Sequence, residues 1–72
     1  MDARARLADN FARLRRQTGF SQEKFGLEHG IDRTYVSGIE RGLRNPTLAV
    51  VQKLADALEV DVTELLAPVK KR

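Results

Sequence analysis

Apolar positions along the chain recur at the spacing of helices that bury one side. Leu7, Phe11 and Leu14 stand four and three residues apart, which predicts an amphipathic first helix over about Ala3 to Gln17. Thr18 and Gly19 close it. Ser21 has the side-chain oxygen of an N-cap, and Glu23 puts a negative charge in the first turn, where the helix dipole favours it. Phe20 stands just before that cap, placed for a hydrophobic staple to Phe25. Lys24 occupies the position where Glu or Gln would complete a capping box, so the reciprocal half of the box is missing. Gly30 tolerates the left-handed conformation of a helix stop, and Asp32 follows as the cap of a third helix, Arg33 to Arg41. Thr47 caps a fourth helix reaching Leu58, whose stripe Leu48, Val51, Leu54, Ala55 and Leu58 reads as core. Val50 lies off that stripe. With Leu65 or Leu66 it belongs either to a second apolar surface or to the same core. Asp61, with Glu64 three residues on, gives a capping-box pattern for a short fifth helix that stops near Pro68. The pattern is all-α.

The two short helices joined by a turn of about three residues have the layout of a helix-turn-helix. Wound at roughly 100° per residue, the third helix sorts Tyr35, Val36 and Ile39 to one side and Arg33, Thr34, Ser37 and Arg41 to the other. One side packs. The other presents two cations and two small hydroxyls, chemistry suited to base edges and phosphates in a major groove. Gly38 borders this outward side and costs the helix about 1 kcal/mol against Ala. Close approach to DNA and close packing of a neighbouring element explain it equally well.

Ser21-Gln22-Glu23, Gly30, the run Asp32 to Gly42 and then Arg44-Asn45-Pro46 together resemble the Xre/Cro-type helix-turn-helix domain of phage repressors and bacterial regulators. The string DRTYVSGIER and the small size of the chain resemble, within that family, the controller proteins of restriction–modification systems. The resemblance implies a five-helix lambda-repressor-like DNA-binding domain with the helix-turn-helix at helices two and three. It implies that Arg33 and Thr34 read bases with Ser37 assisting. Tyr35 would turn its ring to the core and its hydroxyl to a phosphate or base. Gln22, Arg41, Arg44 and Asn45 would hold mainly the DNA backbone, a role that fixes register without reading sequence. The Arg44-Asn45-Pro46 stretch also reads simply as a polar turn. An Arg at the place of Arg15 pairs in the family with a Glu at the place of Glu40, a structural ion pair locking helix one to helix three. Helices four and five would form a two-fold homodimer contact, so the double-stranded DNA operator would be an inverted repeat. Leu27 and His29 depart from the family pattern. Leu27 reads as exposed and His29 as a partly packed side chain.

Composition narrows this further. Seventy-two residues make one domain, expected to span residues 1–69 with a basic tail at 70–72. A domain of this size is marginal by burial alone and relies on regular helix packing or a partner subunit. With no cysteine and a single histidine, neither a disulfide framework nor a metal site is expected. Scattered carboxylates and the lack of a phosphate-cradling glycine loop argue against an enzyme and against a cofactor. No apolar run reaches membrane-spanning length and no signal peptide opens the chain, so the expected location is cytoplasmic. No effector domain follows, so no small-molecule ligand is expected. Charge is divided. Met1 to Asn45 carries nine Lys/Arg against six acids, whereas Pro46 to Val69 carries Lys53 against Asp56, Glu59, Asp61 and Glu64. This suits an oriented approach to a polyanion, and equally two ordinary solvated faces. The alternative function is an antitoxin-like or adaptor module that binds a protein through Leu27, helix five and the tail, with DNA binding secondary. Intact Arg33, Thr34, Arg41 and Arg44 weigh against it.

Overall fold

Side-chain caps start all five helices of the computed structural model, which describes residues 2–69. The helices are α1 (Ala3–Gln17), α2 (Gln22–His29), α3 (Arg33–Glu40), α4 (Leu48–Leu58) and α5 (Val62–Leu66), with no strand among the described residues. Carboxylate or hydroxyl oxygens of Asp2, Ser21, Asp32, Thr47 and Asp61 accept the N–H groups of Ala5, Lys24, Thr34, Val50 and Thr63 at 2.7–3.2 Å. Each such cap satisfies an N–H that a helix start leaves without a partner. Asp61 also accepts the Thr63 hydroxyl at 2.7 Å.

Three helix ends share one closure. After α2, α3 and α4 the residues Gly30, Gly42 and Glu59 adopt positive φ of 67°, 72° and 59°. The next N–H, from Ile31, Leu43 and Val60, then donates back to the carbonyl of Gly26, Gly38 and Ala55 at 2.9–3.0 Å. This is the Schellman geometry, which satisfies carbonyls left over at a helix end.

Helix α1 is the centre, packed against both α3 and α5, while α2 packs on α3 and α4 on α5. Phe11 and Phe25 meet edge to face, with ring centroids 5.3 Å apart. Val36 and Ile39 from α3, Leu54 and Ala55 from α4, and Leu65 from α5 fill the space around them. Each large buried side chain contributes roughly 1.5–3 kcal/mol. Leu65, which the sequence left between two surfaces, is completely buried, and Val50 and Leu66 pack at the edge of the same core. Leu48 departs from its expected place in the stripe and is 80% exposed. It is the first residue of α4, and winding places it at the stripe's margin, beyond the reach of the core.

Polar burial also ties the ends together. Asn10 on α1 is buried and its amide donates to the carbonyls of Leu65 and Ala67 at 3.0 and 2.9 Å, satisfying the end of α5. His29 lies against Phe25, ring centroids 4.6 Å apart. The tail at 70–72 lies outside the described residues. No helix among those described is long and apolar enough to cross a membrane.

Candidate nucleic-acid interface

What fixes α3 is an ion pair beneath its C-terminal end. The Arg15 guanidinium meets the Glu40 carboxylate with two bonds, Nε to Oε2 at 2.5 Å and Nη2 to Oε1 at 3.0 Å, and its Nη1 donates to the Phe20 carbonyl at 2.7 Å. The two side chains are only 10% and 7% exposed. A single arginine on α1 thus holds the last turn of α3 and the start of the α2 segment together. The hydrogen bond to Glu40 raises the Arg15 pKa further above its ordinary value, against the effect of burial. Burial pushes the Glu40 carboxyl up. Hydrogen bonds from Arg15 and Gln22, with the charges of Arg15 and Arg16, outweigh burial and leave it below the ordinary glutamate value.

At the other end of α3, Gly26 sets the approach of α2. A Cβ on Gly26 would overlap the Ile31 carbonyl oxygen and stand 3.5 Å from the Arg33 nitrogen. Only a residue without a side chain lets the turn pass this close. The sequence signal for it was a second glycine four residues before Gly30, inside a helix where glycine is unfavourable.

With Val36 and Ile39 buried, α3 leaves Arg33, Thr34 and the C-cap Arg41 exposed, with Ser37 partly covered among them. The structure therefore brings Arg33, Thr34, Ser37 and Arg41 onto one solvent side. Tyr35 is half-buried, its ring packed against the core. The Arg44 guanidinium carbon lies 5.1 Å from the centre of that ring. Gln22 turns toward the ion pair, where its amide donates to Glu40 Oε1 at 3.1 Å, leaving its carbonyl oxygen and one N–H for other partners. Asn45 is exposed beside Pro46 and lines a shallow groove with Ala3, Arg4, Leu48 and Leu66, apart from the α3 cluster. Leu27 is 76% exposed on the outside of α2. Among the described residues no group of three or more His, Asp or Glu stands close enough to hold a metal ion.

Such a surface can do one kind of chemistry well. Two arginines and two hydroxyls on one exposed helix side offer hydrogen bonds to base edges and phosphates.

Comparison with known proteins agrees with the geometry. The family HTH_3, described as helix-turn-helix, matches residues 11–65. The chain is 46% identical over 68 residues to the uncharacterized HTH-type transcriptional regulator y4dJ of Sinorhizobium fredii, covering 94% of this chain and 88% of that one. The crystal structure of the hypothetical transcription factor NHTF from Neisseria superposes with a TM-score of 0.87 at 45% identity, covering 93% of this chain and 77% of that chain. The restriction–modification controller protein C.AhdI from Aeromonas hydrophila superposes with a TM-score of 0.78 at 40% identity, covering 86% and 94%. The controller protein C.Esp1396I, solved as a tetramer in complex with its natural 35 base-pair operator, gives a TM-score of 0.77 at 28% identity over 93% and 99%.

Proposed function

The chain belongs to the HTH_3 helix-turn-helix family, the Xre/Cro-type transcriptional regulators to which restriction–modification controller proteins are related, and on that premise we propose that it binds an inverted-repeat operator as a homodimer. The observation that carries this reading is the exposed Arg33, Thr34, Ser37 and Arg41 side of a helix whose other side is locked into the core by Val36, Ile39 and the Arg15–Glu40 pair. A rigid helix that spends its outward residues on cations and hydroxyls is built to enter a major groove.

In this reading Arg33 and Thr34 are the chief base readers, Ser37 assists, and the Tyr35 hydroxyl reaches a phosphate or base. Arg41, Arg44, Asn45 and Gln22 hold the backbone. Two copies related by a two-fold axis set their α3 helices in successive major grooves about 34 Å apart. The dimer contact is assigned to α4 and α5, whose edges carry exposed Leu48 and half-buried Val50, Val62 and Leu66. The operator-bound tetramer of C.Esp1396I supports oligomeric binding. Relatedness to controller proteins supports regulation through protein concentration, by dimerisation and occupation of adjacent sites.

Selection of binding sites from random duplex DNA tests the proposal. The expected outcome is an enriched inverted repeat whose affinity falls steeply as salt rises, because each neutralised phosphate releases counterions. Weak binding without a consensus would refute it.

A further inference from the structure

The chain that leaves α3 folds straight back onto it. The Leu43 N–H donates to the Gly38 carbonyl at 2.9 Å, and the next side chain, Arg44, runs across Gly38 itself. A Cβ on Gly38 would stand 2.8 Å from Arg44 Cγ, 2.9 Å from Nε and 3.4 Å from Cδ. Beyond that crossing the guanidinium comes to rest over the Tyr35 ring, 5.1 Å from its centre. Tyr35 and Gly38 stand three residues apart on α3, so together they form one continuous bed, aromatic at one end and bare backbone at the other.

We propose that Gly38 is a positioning residue: its missing side chain is the seat that holds Arg44 on α3, so that DNA meets a pre-ordered guanidinium at one edge of the reading surface. The inference rests on the operator-binding reading above. At roughly 100° per residue, Arg33 borders the exposed arc of α3 on one edge and the Tyr35–Gly38 bed borders it on the other. Thr34 and Ser37 then lie between two guanidinium groups. Stacked on an aromatic face, a guanidinium keeps its edge N–H donors free for the phosphate oxygens that flank the groove. Ordering a free arginine side chain on binding costs on the order of tenfold in affinity, and a seat that orders it beforehand removes much of that cost. Gly38 is unfavourable for the helix, and Arg44 is the nearest neighbour of its missing side chain.

Gly38→Ala separates this role from a structural one. Alanine is the better helix former, and the atoms it meets, Cγ and Nε, belong to the Arg44 side chain rather than to the backbone, so the variant should fold with a melting temperature close to that of wild type. Two readouts are then compared with wild type. In the free protein, NMR of the Arg44 Nε–H should show a ring-current shift from Tyr35 that disappears in Gly38→Ala. In operator titrations Gly38→Ala should bind on the order of tenfold more weakly, and the same substitution on an Arg44→Ala background should cost little more. A shift that survives Gly38→Ala, or an affinity equal to wild type, overturns the proposal. An affinity loss that persists undiminished without Arg44 also overturns it, because Gly38 would then serve direct approach of the helix to DNA. If wild type binds no operator, the parent reading fails and the DNA role with it, while the NMR arm still decides whether the seat exists.

Discussion

The two turns that flank α3 are built on the same plan and do opposite things. In each, a glycine inside the helix is followed four residues later by a glycine with positive φ and then by an aliphatic residue: Gly26, Gly30, Ile31 before α3, and Gly38, Gly42, Leu43 after it. In each, the aliphatic residue's N–H donates to the first glycine's carbonyl at 2.9 Å. What faces the first glycine differs. Gly26 is met by the backbone of Ile31 and Arg33, whereas Gly38 is met by the side chain of Arg44. Ile31 packs against the core, whereas Leu43 is 62% exposed. Backbone against backbone fixes the angle between two helices. Backbone against a long side chain positions something that can move. One motif therefore sets the architecture on one side of α3 and arranges a binding group on the other.

Removing the frame that both turns share should have the largest effect. Arg15→Ala leaves the mostly buried Glu40 carboxylate without its partner, at a cost of about 3 kcal/mol, the low end for a broken buried pair. Urea denaturation measures it. A cost under 1 kcal/mol would mean that α3 is held by its apolar side alone.

Gly26→Ala should follow, at about 2 kcal/mol, because the new methyl overlaps a main-chain oxygen that moves only if the turn opens. The same change at Gly38 meets only a side chain and should leave stability close to that of wild type. Equal losses at the two sites would erase the distinction between the turns.

Acid should loosen the C-terminal end of α3 by removing the Glu40 charge. Since the Glu40 pKa is lowered in the fold, its contribution is complete above about 4.5 and is lost as pH falls through the lower folded value. Asp61 acts in the same direction through the Thr63 N–H and hydroxyl that stabilise its charged form. Denaturation midpoints measured below pH 4.5 should therefore fall less steeply in Glu40→Gln than in the parent, from a lower starting stability.

The smallest effect is a gain. The end of α4 repeats the same closure with Glu59 at φ 59° where the other two ends have glycine. Glu59→Gly should relieve that backbone and stabilise the protein by up to about 1 kcal/mol, read as a raised urea midpoint.

Much of this architecture was legible beforehand because it is local. Ser21, Asp32, Thr47 and Asp61 cap within three residues of themselves, and the stripes of α1 and α3 need nothing but their own spacing. The solvent side of α3 was legible for the same reason. What escaped depends on contacts between distant residues. The carbonyl opposite Gly26 and the side chain opposite Gly38 do not announce themselves in a helical wheel. Asn10 stands three residues after Leu7 in the apolar stripe of α1, and nothing nearby in the chain announces its partners at Leu65 and Ala67, more than fifty residues away. Leu48 had the right period, but a wheel treats the first turn of a helix as though the core continued beyond it. The DNA-backbone role expected of Gln22 says nothing of the bond its amide makes to Glu40, eighteen residues further on.

If the outward side of α3 reads base sequence, the loss of Arg33 must show it. The affinities of wild type and Arg33→Ala would be measured against the selected operator and every single base-pair variant of its half-site. Arg33→Ala should lose about 1–3 kcal/mol on the parent operator, with discrimination relaxed at one base pair per half-site and kept at the others. Discrimination unchanged at every position would contradict it.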